Sequence, residues 1–199
     1  MACQRTEAEV VALLQRHGAL QQGHFLLSSG MHSSHYVQCA LLLQYPELTA
    51  RICAALAEPF RGVGVQVVVG PAVGAVVLAY ETARQLGARA LWAERSEGKL
   101  TLRRSFRVEP GERVLVVEDV VTTGGSAREV ALLAEEAGAS VVGVAAVVDR
   151  SAGNHGLRWR FEPLARLEVE AYLPPLCPLC REGLPLVKPG SRQTTPKIA

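Results

Sequence analysis

The residues of this 199-residue chain best suited to chemistry are two adjacent acids, Glu118 and Asp119. They stand between an apolar run and a glycine turn in the stretch Val114 to Ser126, VLVVEDVVTTGGS. Packing seldom requires adjacent carboxylates, because each loses its hydration when buried. After them, Thr122, Thr123, Gly124, Gly125 and Ser126 can bring several backbone N–H groups to one point at a helix start, where the dipole favours a phosphate. Acids touching that phosphate would repel it, whereas they can accept hydrogen bonds from ribose hydroxyls. The order of residue types therefore suits a sugar phosphate, with Glu118 and Asp119 on the sugar and the glycine turn on the phosphate. The segment fits neither G-x-G-x-x-G nor G-x-x-x-x-G-K-[ST], since no lysine follows the glycines. The competing reading is a buried strand and an ordinary turn, with Ser126 as a helix N-cap.

Positioning such a turn requires a strand before it and a helix behind it. Val114, Leu115, Val116 and Val117 are apolar and mostly β-branched, as in a central parallel strand covered on both faces. Similar units recur along the chain. Residues 66–69 read as a short strand reaching Gly70-Pro71, with a helix over about 75–86. Further strands are expected at 88–93 and 141–148, with a helix at 127–137 between the last two strands. This alternation predicts an α/β fold, a parallel sheet flanked by helices, with ligands at the strand carboxyl ends Gly70, Ala93, Glu118 and Asp149. Upstream, Thr6 and Glu9 form a capping box for a helix ending near His17-Gly18, and residues 46–60 carry apolar positions at helical spacing. Residues 23–38, GHFLLSSGMHSSHYVQ, read as two short strands or a hairpin around Gly30. Polar residues 94–111 suit a mobile hairpin. After Arg150 the pattern is less regular, and 188–199 reads as a loose tail.

The length suits one domain. A hydrophobic fraction of 49%, a charged fraction of 20% and a net charge of +2 from scattered basic residues indicate a globular protein without a nucleic-acid footprint. No apolar run is long enough to span a membrane, and residues 1–11 lack a signal-peptide core, which points to a cytoplasmic address. Five cysteines, Cys3, Cys39, Cys53, Cys177 and Cys180, are too few and too odd for a secreted disulfide scaffold. Cys177-Pro-Leu-Cys180 is half of a possible structural zinc site; a packed pair near the chain end or a reversible disulfide would look the same in sequence.

The stretch VLVVEDVVTTGGS resembles the phosphoribosyl-diphosphate (PRPP) motif of type I phosphoribosyltransferases at all thirteen positions. Three further segments resemble the orotate branch of that family. FLLSSGMHSSHYVQ at 25–38 is similar to its N-terminal hood, GPAVGA at 70–75 to its pyrophosphate loop, and VVDRSAG at 147–153 to the strand end whose arginine binds the orotate carboxylate. The resemblance implies a single type I phosphoribosyltransferase-like domain over 1–199, with the helix and hood in 1–40 and the mobile hairpin in 93–111. It also implies transfer of 5-phosphoribosyl from PRPP to orotate, giving orotidine 5′-monophosphate and pyrophosphate on the way to UMP. In this reading Glu118, Asp119, Val120, Val121, Thr122, Thr123, Gly124, Gly125 and Ser126 bind PRPP, the two acids being catalytic. Thr122, Arg150 and Tyr36 meet orotate. Arg150 offers a planar fork for a carboxylate, and Tyr36 a ring to stack on a pyrimidine. A structural ion pair of Arg150 with Asp149 or a neighbour is the competing reading. Mg²⁺ is expected as cofactor, held mainly by substrate oxygens, with no protein metal cage. A homodimer is also implied, with no nucleic-acid or membrane partner.

The chain departs from the family pattern at three places. Val73-Gly74 stand where a lysine is expected in the pyrophosphate loop, Ser28 stands where many relatives place one in the hood, and the hairpin has no histidine. Arg95 and Lys99 are the candidate replacement cations for pyrophosphate, with Lys99 assigned to catalysis and Arg103 and Arg104 behind them; a solvated charged hairpin is the alternative. His24, His32 and His35 are expected in packing or surface roles. Rival functions are a PRPP-dependent transferase for another base and a PRPP-sensing regulator.

Overall fold

A computed structural model describes residues 6–27 and 29–189. Ser28, Cys3 and the end of the expected tail lie outside the described residues. Helix α1 (Glu7–Arg16) begins with the full capping box, Thr6 accepting from the Glu9 N–H and Glu9 accepting from the Thr6 N–H. Strands β1 (Leu20–Leu26) and β2 (His32–Val37) form the antiparallel hood hairpin, to which β9 (Ala171–Tyr172) adds a short third strand. A short helix α2 (Ala40–Leu43) and α3 (Pro46–Ala57) follow.

The main sheet contains β3 (Val67–Pro71), β4 (Arg89–Ser96), β5 (Lys99–Leu102), β6 (Arg113–Val121), β7 (Ser140–Asp149) and β8 (Phe161–Arg166). Its spatial order is β5-β4-β3-β6-β7-β8, parallel except for the β4–β5 hairpin. Helix α4 (Val76–Leu86) carries the chain from β3 to β4 on one side, and α5 (Gly125–Glu136) carries it from β6 to β7 on the other. The winding thus reverses between β3 and β6. Two neighbouring strands whose loops turn away from each other leave a crevice at their carboxyl ends, where open α/β sheets bind ligands.

The buried run in β6 explains why this sheet forms. Leu115 and Val117 join one core with α1, α3 and α4, while Val114 and Val116 join a second core with α5. All four are fully buried. At about 1.5–3 kcal/mol per buried side chain relative to exposure, this one strand supplies a large part of the force that seats the crevice. Gly70, at the end of β3, permits the close approach of its neighbours: a Cβ there would lie 2.7 Å from the Ala75 Cβ and 3.1 Å from the Val117 carbonyl oxygen.

Three expectations change. β6 does not end at Val117 but continues pairing with β7 through Val121↔Asp149, so Glu118 and Asp119 lie within the strand. The irregular region after Arg150 contains β8 and β9, whose short segments lack a clean alternation in sequence and are held by pairing to β7 and β2. Helix α2 precedes the expected helix, and α6 (Pro178–Arg181) caps the C-terminal segment.

Candidate active site at the sheet switch point

Because successive strand residues point to opposite faces, Glu118 and Asp119 serve two different walls of the crevice. Glu118 lines a cleft with Val120, Val121, Thr122, Thr123, Gly124, Gly125, Ser126 and Ala127. Asp119 instead abuts the GPAVGA loop, where a Cβ on Gly74 would come within 2.7 Å of its carboxylate. The loops after β3 and β6 therefore meet across the acids. Val73, in place of the expected lysine, is 85% exposed, so this wall carries no cation from its own loop.

The phosphate side is shaped by Gly124. It is the N-cap of α5, it has φ +68°, and no side chain caps the helix. This overturns Ser126 as the cap and leaves the first amides of α5 unclaimed by any capping side chain. A Cβ at Gly124 would also meet the His155 carbonyl oxygen at 2.1 Å, so glycine is required by both conformation and space.

Burial dominates the electrostatics. Glu118 is 7% exposed, and its carboxyl is pushed well above the usual carboxylate range, first by burial and then by the adjacent Asp119 charge. Cys39, whose thiol approaches the Asp119 carbonyl oxygen at 3.8 Å, is raised for the same reasons in the same order. A cation or a set of hydroxyl donors brought to the acids would relieve this excess of negative charge.

The base side is built by β7 and the hood. The Arg150 N–H is anchored to the Val121 carbonyl at 2.7 Å, which fixes it beside the end of β6. Its Nη2 approaches Ser33 Oγ at 3.4 Å, and its Nε is buried without a hydrogen-bond partner among the described residues. The Asp149 pairing is overturned: that carboxylate accepts from the Ser151 N–H at 2.8 Å and from its hydroxyl at 2.6 Å, and lies 3.9 Å from Arg166. Tyr36 shares this neighbourhood. Its phenol is raised by burial and then by Asp119, with Arg150 acting in the opposite sense. Tyr36, Asp119 and Arg150 thus influence one another electrostatically from three elements, and Ser33, 3.4 Å from Arg150, comes from the same hood strand as Tyr36 without having stood out in the sequence.

Arg95 and Lys99 are not among the residues lining the cleft. Arg95 is 3.3 Å from Glu129 of α5, and Arg104 is 2.6 Å from Glu94 of β4, so both are engaged in surface ion pairs. Lys99 is exposed at the hairpin turn, opposite Ser96, and makes no ion pair among the described residues. His24 and His32 are buried rather than superficial, and they lie beside Cys177 and Cys180.

Known proteins resemble this chain in sequence and in fold. Residues 42–158 match the family model for a phosphoribosyl transferase domain. The chain is 53% identical over 188 residues to the orotate phosphoribosyltransferase of Pelotomaculum thermopropionicum, covering 94% of this chain and 99% of that one. It is 55% identical over 175 residues to the orotate phosphoribosyltransferase of Caldicellulosiruptor bescii, covering 88% and 92%. The crystal structure of the Aeropyrum pernix orotate phosphoribosyltransferase superposes with a TM-score of 0.68 at 26% identity, over 80% of this chain and 94% of that one. That of Mycobacterium tuberculosis H37Rv orotate phosphoribosyltransferase with inorganic phosphate gives 0.62 at 29% identity, over 81% and 95%. With the switch-point crevice, the paired acids and this extent of identity, the chain belongs to the orotate phosphoribosyltransferases of the phosphoribosyl transferase domain family.

Proposed function

We propose that the crevice transfers the 5-phosphoribosyl group of PRPP to orotate, releasing pyrophosphate. The observation that carries this reading is the cleft in which Glu118 meets the uncapped start of α5, with Arg150 anchored on Val121 beside it and its buried Nε without a partner among the described residues. The 5′-phosphate rests on the amides of Thr123, Gly124, Gly125 and Ser126, with Val120 and Val121 holding that turn against β7. The ribose hydroxyls lie between Glu118 and Asp119. Orotate sits between Tyr36 and Thr122, its carboxylate on the Arg150 guanidinium.

Transfer makes the anomeric carbon oxocarbenium-like while the leaving diphosphate gains negative charge. Asp119 stabilises the first change electrostatically, and fixed geometry makes that stabilisation available without reorganisation. The donor set fits magnesium as a companion of PRPP. Glu118 and Asp119 supply hard oxygen atoms on two walls, the kind of donor magnesium takes. When bound, Mg²⁺ neutralises the departing diphosphate. Lys99 and Arg95 are the chain's own cations for the same task, reaching it by movement of the β4–β5 hairpin or from a second copy in a homodimer. No helix among the described residues is long and apolar enough to cross a membrane.

Steady-state turnover of purified protein with PRPP, Mg²⁺ and a panel of bases tests the reading. Orotate is expected to react and yield equimolar orotidine 5′-monophosphate and pyrophosphate. Reaction of another base in its place, or PRPP binding without turnover, contradicts it.

A further inference from the structure

The hood hairpin and the C-terminal segment meet at four side chains that phosphoribosyl transfer does not use. His24 on β1, His32 on β2, and Cys177 and Cys180 at α6 place one ligand atom each within 4.8 Å of all the others. His24 Nε2 lies 2.9 Å from His32 Nδ1, 3.5 Å from Cys177 Sγ and 3.7 Å from Cys180 Sγ. Cys180 Sγ lies 3.3 Å from His32 Nδ1. Around a tetrahedral zinc with ordinary bond lengths, two nitrogens stand about 3.3 Å apart, and a nitrogen and a sulfur about 3.6 Å. The four groups already stand near the corners of such a tetrahedron.

Two further observations bear on the ligand chemistry. His24 Nδ1 lies 2.8 Å from the Leu184 carbonyl oxygen, which accepts a hydrogen bond from the Nδ1–H and leaves Nε2 as the lone-pair nitrogen turned toward the other three groups. Cys177 and Cys180 are both free thiols, and His24, His32 and Cys177 are 3%, 5% and 1% exposed, so the site is closed except on the Cys180 side. A C-x-x-C pair by itself leaves a zinc half-coordinated; the bulged pairing of β1 with β2 brings in the second pair from the same chain.

We propose that His24, His32, Cys177 and Cys180 bind one structural zinc ion, which staples the C-terminal segment to the hood. Two neutral imidazoles and two thiolates complete the coordination with no open position, which suits a structural rather than a catalytic zinc. On binding, the two thiol protons pass to solvent. The staple reinforces contacts that run through the same place: the Leu26 N–H donates to the Val187 carbonyl, and the Val187 N–H to the His24 carbonyl, both at 2.8 Å. Since β2 also carries Ser33 and Tyr36, the ion holds the hood that faces Arg150.

The test uses full-length protein without a histidine tag, purified under reducing conditions and exchanged against zinc-free buffer. Elemental analysis is expected to give one zinc per chain, and cobalt substitution an intense tetrahedral visible spectrum with thiolate charge transfer. Chelation with a strong zinc chelator is expected to lower Tm by about 5 °C or more, reversibly on addition of ZnCl₂. Cys180→Ser, at the exposed corner, is expected to lose the cobalt charge-transfer intensity in part and to weaken zinc retention at least tenfold; if it does not fold, the wild-type cobalt spectrum decides. Less than one zinc per ten chains after reduction and incubation with ZnCl₂, or an octahedral cobalt spectrum, overturns the proposal.

Discussion

Arg150 can be removed with little expected effect on the fold, which makes it a sharp probe of base recognition. Its backbone is held by the Val121 carbonyl, Asp149 is already paired with Ser151, and its own Nε is buried without a partner among the described residues. Arg150→Ala therefore deletes one buried donor that folding leaves unused, Nε, together with a single long contact of Nη2 to Ser33 Oγ at 3.4 Å, and Tm is expected to change little. Orotate binding loses much more. A guanidinium–carboxylate pair offers two charge-assisted hydrogen bonds of about 1.5–3 kcal/mol each; because the two are not additive, about 3 kcal/mol is a reasonable total. This corresponds to about a 150-fold loss in kcat/KM for orotate. Uracil has no carboxylate to lose, so its rate is expected to stay within about threefold. Arg150→Lys keeps the charge but not the fork, and about a tenfold loss is expected. The assay compares kcat/KM for orotate and uracil at fixed PRPP, with Tm measured on the same preparations. An unchanged orotate-to-uracil ratio in Arg150→Ala would refute the assignment of the carboxylate to this residue.

Other substitutions probe the remaining walls. Glu118 is raised in the folded state by burial and by Asp119, so the folded form keeps its proton where the unfolded chain has lost it. Stability from this group is therefore full below the ordinary glutamate range near about pH 4.3 and falls as pH rises toward the folded value. Glu118→Gln should remove that fall: urea unfolding is expected to show its stability advantage growing with pH while turnover drops, and parallel curves would contradict the cause assigned. Gly124→Ala places a Cβ 2.1 Å from the His155 carbonyl at φ +68°, and the left-handed conformation alone costs about 1–2 kcal/mol. It is expected to raise KM for PRPP at least tenfold and to lower Tm; unchanged KM would show that the turn does not hold the phosphate. Asp119→Asn is expected to cut kcat at least a hundredfold with a Tm shift of only a few degrees, and equal kcat would remove it from the ribose.

Most of what could be read in sequence was local. The β6 run, the glycine turn, the capping box on α1 and the alternation of strands and helices all declare themselves within a few residues, because each answers a backbone or burial requirement of its own segment. The points that did not declare themselves depend on pairing partners far away in the chain. The extension of β6 past its acids comes from the register with β7, and β8 gains its strand character from the same neighbour. The approach of Asp119 to Gly74 is a contact across 45 residues, and the meeting of His24 and His32 with Cys177 and Cys180 spans most of the chain. Sequence alone assigned the histidines to packing or surface roles because no metal-ligand spacing links them to the cysteines; only the hood hairpin and α6 do. The hairpin cations show the reverse case. Their chemistry was visible, but the structure engages Arg95 and Arg104 with glutamates and leaves Lys99 at the turn.

A ternary structure with PRPP or a non-reactive analogue, Mg²⁺ and orotate tests the switch-point assignment most directly. The 5′-phosphate is expected on the amides of Thr123 to Ser126, the ribose hydroxyls between Glu118 and Asp119, and the orotate carboxylate on both outer nitrogens or on Nε of Arg150. A sugar phosphate bound away from the β6–α5 turn, or a carboxylate that makes no contact with Arg150, would contradict it.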